Sequence, residues 1–225
     1  QKVRRQSHYI ECTFVDSVFD SVGLSGTKFI RCQFKTSDYT GANMSSCSFE
    51  NVTWIGDRND PLIVKRVSFN RSIFTDCTFE NVNFLSSRFM DTVFYNCNFI
   101  RCKMRLCALE NTSFNECMFD EMDFSTGNMS FSEFSKLRSR NSIFSFHSLN
   151  FTFGLLKTLS NSPNVNYVYS ANSKRMLYSE YIKMLPEFEM YYIHDGKYFP
   201  LVNLYSIQGK KDMAFLAVKE GYRYA

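Results

Sequence analysis

Histidine, proline and glycine are all scarce in this sequence. The three histidines, His8, His147 and His194, lie in unrelated segments, and none has the spaced Cys, Asp or Glu partner that a catalytic triad or a metal site needs. Nine scattered glycines form no phosphate-binding loop. No stretch approaches the roughly eighteen apolar residues of a membrane helix. No signal peptide precedes Gln1, so the sequence reads as a soluble domain excised from a longer chain. The one basic cluster is Lys2-Val3-Arg4-Arg5; elsewhere both signs intersperse around a net charge of +4, and no face gathers Lys and Arg between aromatics as a nucleic-acid binder does. These absences predict no enzymatic activity, no catalytic residues, no metal, no cofactor and no nucleic-acid partner.

What is present is a ladder. Every fifth residue is apolar from Phe14 to Trp54 and again from Phe69 to Phe134, and Phe fills sixteen of those twenty-three positions although only 44% of the chain is hydrophobic. A helix face returns at 3.6 residues and a strand face at 2, so neither keeps these positions on one side. A chain that turns a corner every five residues does. Its second inward position would lie two residues before each ladder residue, by strand alternation.

That second position passes the test. It reads Cys12, Ser17, Val22, Thr27, Cys32 in the first turns and Cys77, Val82, Ser87, Thr92, Cys97 later, and Met122 alone is neither small nor β-branched. A corner beside a large ring requires small residues if the interior is to fill to native density. The other three positions of each five are mostly polar, as a wall facing water should be.

Stretches such as Cys77-Thr78-Phe79-Glu80-Asn81 and Cys97-Asn98-Phe99-Ile100-Arg101 resemble the repeating unit of the pentapeptide-repeat family. The resemblance implies an all-β solenoid, a right-handed quadrilateral β-helix with about twenty residues per turn and a rise of about 4.8 Å. About six turns fit between Phe14 and Phe134, and the phase recurs at Phe144 and Leu149, where a seventh would lie. Trp54 and Phe69 are 15 residues apart, a multiple of five, so one continuous rod is expected across a loop insertion near residues 55–66. Asp57-Arg58-Asn59-Asp60-Pro61 carries its turn formers, and Leu62, Ile63 and Val64 are placed to re-enter the wall. The solenoid is assigned to residues 1–153.

All eight cysteines occupy the small inward position. They read either as buried free thiols acting as small hydrophobes or as disulfides between stacked turns, with Cys12-Cys32 and Cys77-Cys97 as the first pairs. Cys97, Cys102 and Cys107 point inward from three different walls, and no pair has the two-residue spacing of zinc ligands.

Six asparagines head glycosylation sequons: Asn43, Asn51, Asn70, Asn111, Asn128 and Asn150. All fall at outward positions of the five, a placement that favours luminal or extracellular exposure over the alternative of asparagine as an ordinary outer-wall residue.

The run from Tyr9 to Asp20, continuing through Lys28-Phe29-Ile30 and Gln33-Phe34-Lys35, resembles the large luminal loop of the synaptic vesicle glycoprotein 2 family. Those membrane proteins carry a Phe-rich pentapeptide β-helix that some botulinum neurotoxins use as a receptor. The resemblance implies a vesicle or cell-surface placement and a possible toxin ligand. This chain has Thr36 where the family bears its toxin-contacting glycan, which weighs against toxin binding.

Residues 154–225 are Tyr-rich and punctuated by Pro163, Pro186 and Pro200. Ser179 to Leu185 reads as a helix stopped before Pro186. Lys210 to Glu220 reads as another, with Met213, Leu216 and Ala217 on one face and Gly221 as its stop. Met190 to Ile193 and Tyr198 to Ile207 have strand character around a turn at His194-Asp195-Gly196-Lys197. The segment is expected to cap the solenoid's open end or to form a small α/β module of its own. Glu187 and Glu189 read as surface charges.

Two function classes follow. One is a non-catalytic interaction module on a luminal or extracellular protein, meeting a protein partner by its walls or by strand addition at its edge. The alternative is a cytoplasmic scaffold with free thiols, whose C-terminal module binds the partner.

Overall fold

The structure, a computed structural model, describes residues 7–145, 159, 166–169, 175–196, 198–207 and 210–223. The chain coils into a parallel β-solenoid of about seven turns. Three walls are seven-stranded sheets: one runs from His8–Ile10 up to Glu133–Ser135, the next from Thr13–Phe14 to Arg138–Arg140, and the third starts at Leu62–Lys65 and passes through Ile143–Ser145. The fourth wall is a ladder of single bridges, Gly23 to Asn43 to Ser68 to Arg88 to Ala108 to Asn128.

The ladder residues point inward, and most of the aromatic ones stack on their counterparts one turn away, Phe99 and Phe119 meeting edge to face instead. Phe79 lies on Phe99 with ring centroids 4.7 Å apart and planes 10° from parallel, while neighbouring walls meet edge to face, as Phe94 meets Phe99 at 5.3 Å. Such pairs contribute about 0.5–1.5 kcal/mol each beyond their burial. The rings from Phe29 upward are buried, whereas Tyr9, Phe14, Phe19 and Leu24 in the first described turn are only partly so.

The small inward residues do more than fill space. Many that carry a hydroxyl or thiol donate it to the carbonyl of a ladder residue on the turn below: Thr92 to Phe69 at 2.8 Å, Thr112 to Phe89 at 2.7 Å, Cys102 to Phe79 at 3.3 Å and Cys107 to Phe84 at 3.2 Å. A buried carbonyl at a corner thereby gains a partner that Ala or Val could not supply.

The third outward position is not simply a surface residue either. Two residues after nearly every ladder position the backbone is left-handed, with φ between 49 and 61° at 21 non-glycine residues and positive also at Gly26 and Gly41. Asn, Asp and Gly recur there because they adopt this conformation at least cost.

Between His8 and Ser145 one turn is longer than the rest. Phe49 pairs with Phe74 and Trp54 with Phe79, a register of 25 residues instead of 20. Trp54 therefore stacks under Phe79, at 6.3 Å, and Val64 takes the third-wall ladder position above Tyr39. The extra residues leave the wall at Gly56 and return at Leu62. The phase of five survives as expected, but the twenty-residue turn does not hold here.

The C-terminal region caps the coil with helices. The strand Tyr167–Tyr169 continues the third wall in parallel, and Arg175–Leu177 closes it antiparallel. The Asn166 side chain accepts from Ser139 Oγ at 2.8 Å and donates to the Ser139 carbonyl at 3.0 Å, standing in for the next turn. Arg175 lies over the Tyr167 ring, 4.1 Å from its centroid.

Several sequence expectations fail in the cap. The helix expected to stop at Leu185 runs over Tyr178–His194 (α1) straight through Pro186. Proline in a helix interior costs roughly 3 kcal/mol, offset by burial of Tyr178, Tyr181 and Leu185 on one face. Met190 to Ile193 therefore belongs to α1, and Tyr198–Ile207 is a helix (α2) rather than a strand. Its apolar residues Leu201, Val202, Leu204 and Tyr205 are all buried, and so short an apolar run carries no period that separates helix from strand. The turn at Asp195 and Gly196 is present, with Gly196 at φ 64°. The last helix is Lys211–Arg223 (α3). Its packed face is Ala214, Ala217 and Gly221, not Met213 and Leu216, which are exposed. Gly221 lies inside α3: an added Cβ would come within 3.2 Å of Tyr198 Cβ, so it permits close helix packing instead of ending the helix.

Candidate functional site

The excursion at Gly56 to Leu62 creates the most distinctive surface of the coil. Its base is pinched onto the turn above: Gly56 N–H donates to the Glu80 carbonyl and Leu62 N–H to the Asn81 carbonyl, both at 2.9 Å. Asn81, only 7% exposed, returns the contact from its side chain, donating Nδ2 to the Gly56 carbonyl at 2.9 Å. Arg101 in turn donates from Nε to Asn81 Oδ1 at 2.8 Å and pairs with Glu80. Gly56 is required by space, since a Cβ there would lie 2.1 Å from Leu62 N and 2.5 Å from the Asn81 carbonyl oxygen.

Beside this clamped excursion runs a groove formed by two adjoining cavities of about 360 and 400 Å³. They share Thr36, Ser37 and Ile63, and the corner at Thr36 is one of the few without a left-handed residue. The floor exposes Val18 and Ile63; Lys35, Asp57 and Asp60 line one cavity, Asp16 and Asp38 the other. The Asp38 carboxyl is held below its ordinary value by the Thr40 N–H and then the Thr40 side chain.

The sequon asparagines lie on outer walls, far from this groove in kind. Asn43, Asn51, Asn111 and Asn128 are exposed, Asn70 is half-buried, and Asn150 lies outside the described residues. Asn51 and Asn111 occupy left-handed corners, and Asn111 donates to Asp91 at 2.8 Å. Asn70 accepts from the Met90 N–H at 3.0 Å.

All eight cysteines are free thiols. Cys12 is half-buried and the others are buried. Burial pushes the thiol of Cys47 up to about 11 and those of Cys102 and Cys107 up to about 12; Cys97, stacked between Cys77 and Cys117, is raised further by burial and then by those neighbours. His8 and His194 are exposed on separate elements, and His147 lies outside the described residues. Among the described residues no group of three or more His, Cys, Asp or Glu is placed to hold a metal ion, and no helix is long and apolar enough to cross a membrane.

The model of the pentapeptide-repeat family matches at 72–111 and 92–130, in eight copies. The match spans residues 72–130, about a quarter of the chain. Comparison with curated proteins gives no match. Among solved structures, the chain is similar to full-length QnrB1, a plasmid-mediated fluoroquinolone resistance protein, at 18% identity and TM-score 0.34 over 62% of this chain and 83% of that one. It is similar also to HetL, involved in heterocyst differentiation regulation in the cyanobacterium Nostoc sp. strain PCC 7120, at 9% identity and TM-score 0.38 over 65% and 80%. Within the pentapeptide repeat, sequence reasoning found the ladder and the insertion but missed the groove. The available signal was the acidic pair Asp57 and Asp60 flanking a register shift.

Proposed function

We propose that the chain is a non-catalytic interaction module, a rigid coil whose outer walls meet a protein partner in the secretory lumen or outside the cell. The observation that carries the reading is the placement of the sequons. Four of the five described acceptor asparagines are exposed and the fifth half-buried, all on outer walls where a glycan would leave the Phe stacks untouched. Residues 154–225 are proposed as the cap of this module.

The eight free thiols favour a second reading, a cytoplasmic scaffold. One experiment separates the two. Expressed in animal cells with a secretion signal and, separately, from its native full-length gene, the protein is weighed before and after N-glycosidase treatment. A mass loss in the native-gene product supports luminal display; no loss there, with a loss in the secreted control, sinks it.

A further inference from the structure

We propose that the groove beside the Gly56 to Leu62 excursion binds an extended, basic segment of a partner protein, seating its apolar side chains on Val18 and Ile63 and its cations on the surrounding carboxylates. The site gives the interaction module proposed above its contact surface, and so rests on that reading.

Three observations carry it. First, the floor carries two open apolar side chains, one on each side of Asp38: Val18 is 74% and Ile63 44% exposed. The next residues up this wall, Asn83 and Lys103, are polar.

Second, the charge is one-sided. In a chain of net charge +4, Asp16, Asp38, Asp57 and Asp60 line the groove against Lys35 alone. Arg58 stands on the excursion without lining either cavity. Among the described residues none of these four carboxylates is in an ion pair. Higher on the coil the carboxylates of Asp120 and Asp123 are paired with Arg140 and Arg105. The carboxylates around the groove thus await cations that the chain itself supplies elsewhere.

Third, the dimensions suit an extended chain. Val18 pairs with Asp38 one turn up, and Ile63 lies a further turn above. Two turns span roughly 10 Å, the reach of about three extended residues. The clamp of Asn81 on Gly56 holds the far wall in place before any partner arrives, which lowers the ordering cost of binding.

The probe is a fluorescein-labelled peptide of sequence Arg-Leu-Lys-Leu-Arg, titrated by fluorescence anisotropy at low salt against its counterpart Glu-Leu-Glu-Leu-Glu. The basic peptide is expected to bind and the acidic one not. The triple variant Asp38→Asn/Asp57→Asn/Asp60→Asn should weaken binding about tenfold, the sum expected of three exposed pairs. Val18→Lys, a single change at an open position, should weaken it independently. The distal variant Glu50→Gln/Asp76→Asn/Asp91→Asn should bind as the parent does. Equal weakening by the distal variant, binding of the acidic peptide, or no binding of either overturns the proposal. These outcomes are independent of the glycan mass test, so failure of luminal display and failure of this groove are read separately.

Discussion

The side chain of Asn81 donates to the carbonyl of Gly56, 25 residues earlier, at 2.9 Å. This bond joins the irregular stretch at Gly56 to Leu62 to the regular turn above it. Asn81 also sits in a left-handed corner, φ 52°, and accepts from Arg101. One residue thus satisfies a backbone requirement and holds the excursion shut.

Replacing Asn81 by Gly keeps the left-handed corner and removes only the side-chain bonds. The expected cost is about 1–3 kcal/mol, one buried carbonyl losing its donor and one guanidinium an acceptor. Gly56→Ala should cost more, because the clash is with backbone that cannot yield. Urea unfolding followed by the fluorescence of Trp54, the one tryptophan and fully buried, measures both. A free-energy change within a few tenths of a kilocalorie for either variant would contradict the clamp.

Alkylation of the native protein with iodoacetamide should modify Cys12 alone, with seven further additions after denaturation. The thiolate is the nucleophile, and burial keeps Cys47, Cys102 and Cys107 protonated well above neutral pH. Cys102→Ser should retain most stability, since it still donates to the Phe79 carbonyl, while Cys102→Ala removes that donor and should cost about 0.5–1.5 kcal/mol. Mass spectra showing Cys97 or Cys102 labelled as fast as Cys12 would refute the buried columns.

Leu106 has φ 55° and an exposed side chain, where most corners have Asn, Asp or another polar residue. A leucine held in this region costs about 1–2 kcal/mol. Leu106→Asn should therefore raise stability by up to about 1 kcal/mol without touching the core. Thermal denaturation checks the sign, and a lower melting temperature would count against the corner assignment.

Burial disfavours the charged form of Asp123, yet hydrogen bonds from the Ser125 side chain and N–H, together with Arg105, hold its carboxyl below the ordinary value of 3.8. A depressed folded value means stability that is present above that pH and lost as the pH falls through the folded value. The urea midpoint should drop between pH 5 and about pH 3, and Asp123→Asn should shrink that drop. An unchanged pH dependence in the variant would remove Asp123 from the account.

Much of this fold was legible from residue spacing. Phe79 and Phe99 had to share a wall once the period was five, and they do. In the sequence the small position looks like filler, and its donor role is invisible because the acceptor, such as the Phe79 carbonyl below Cys102, belongs to another turn. The left-handed corners were hidden among polar surface residues, since Arg101 and Glu116 obey the same backbone rule as Asn81 without looking like turn formers. In the cap, Tyr198 to Ile207 is a short, mostly apolar run with no strong helical period to read.

By itself the sequence determined the coil, because an inward ring every fifth residue and a small neighbour two before it can be buried together in only one way. It also determined that five-residue phase persists through the insertion. Only the tertiary structure decided where the extra residues go. Trp54 stacks under Phe79 and not Phe74, and Gly56 meets Asn81, because backbone bonds between turns select a register that local spacing leaves open. The groove exists only as the consequence of that choice.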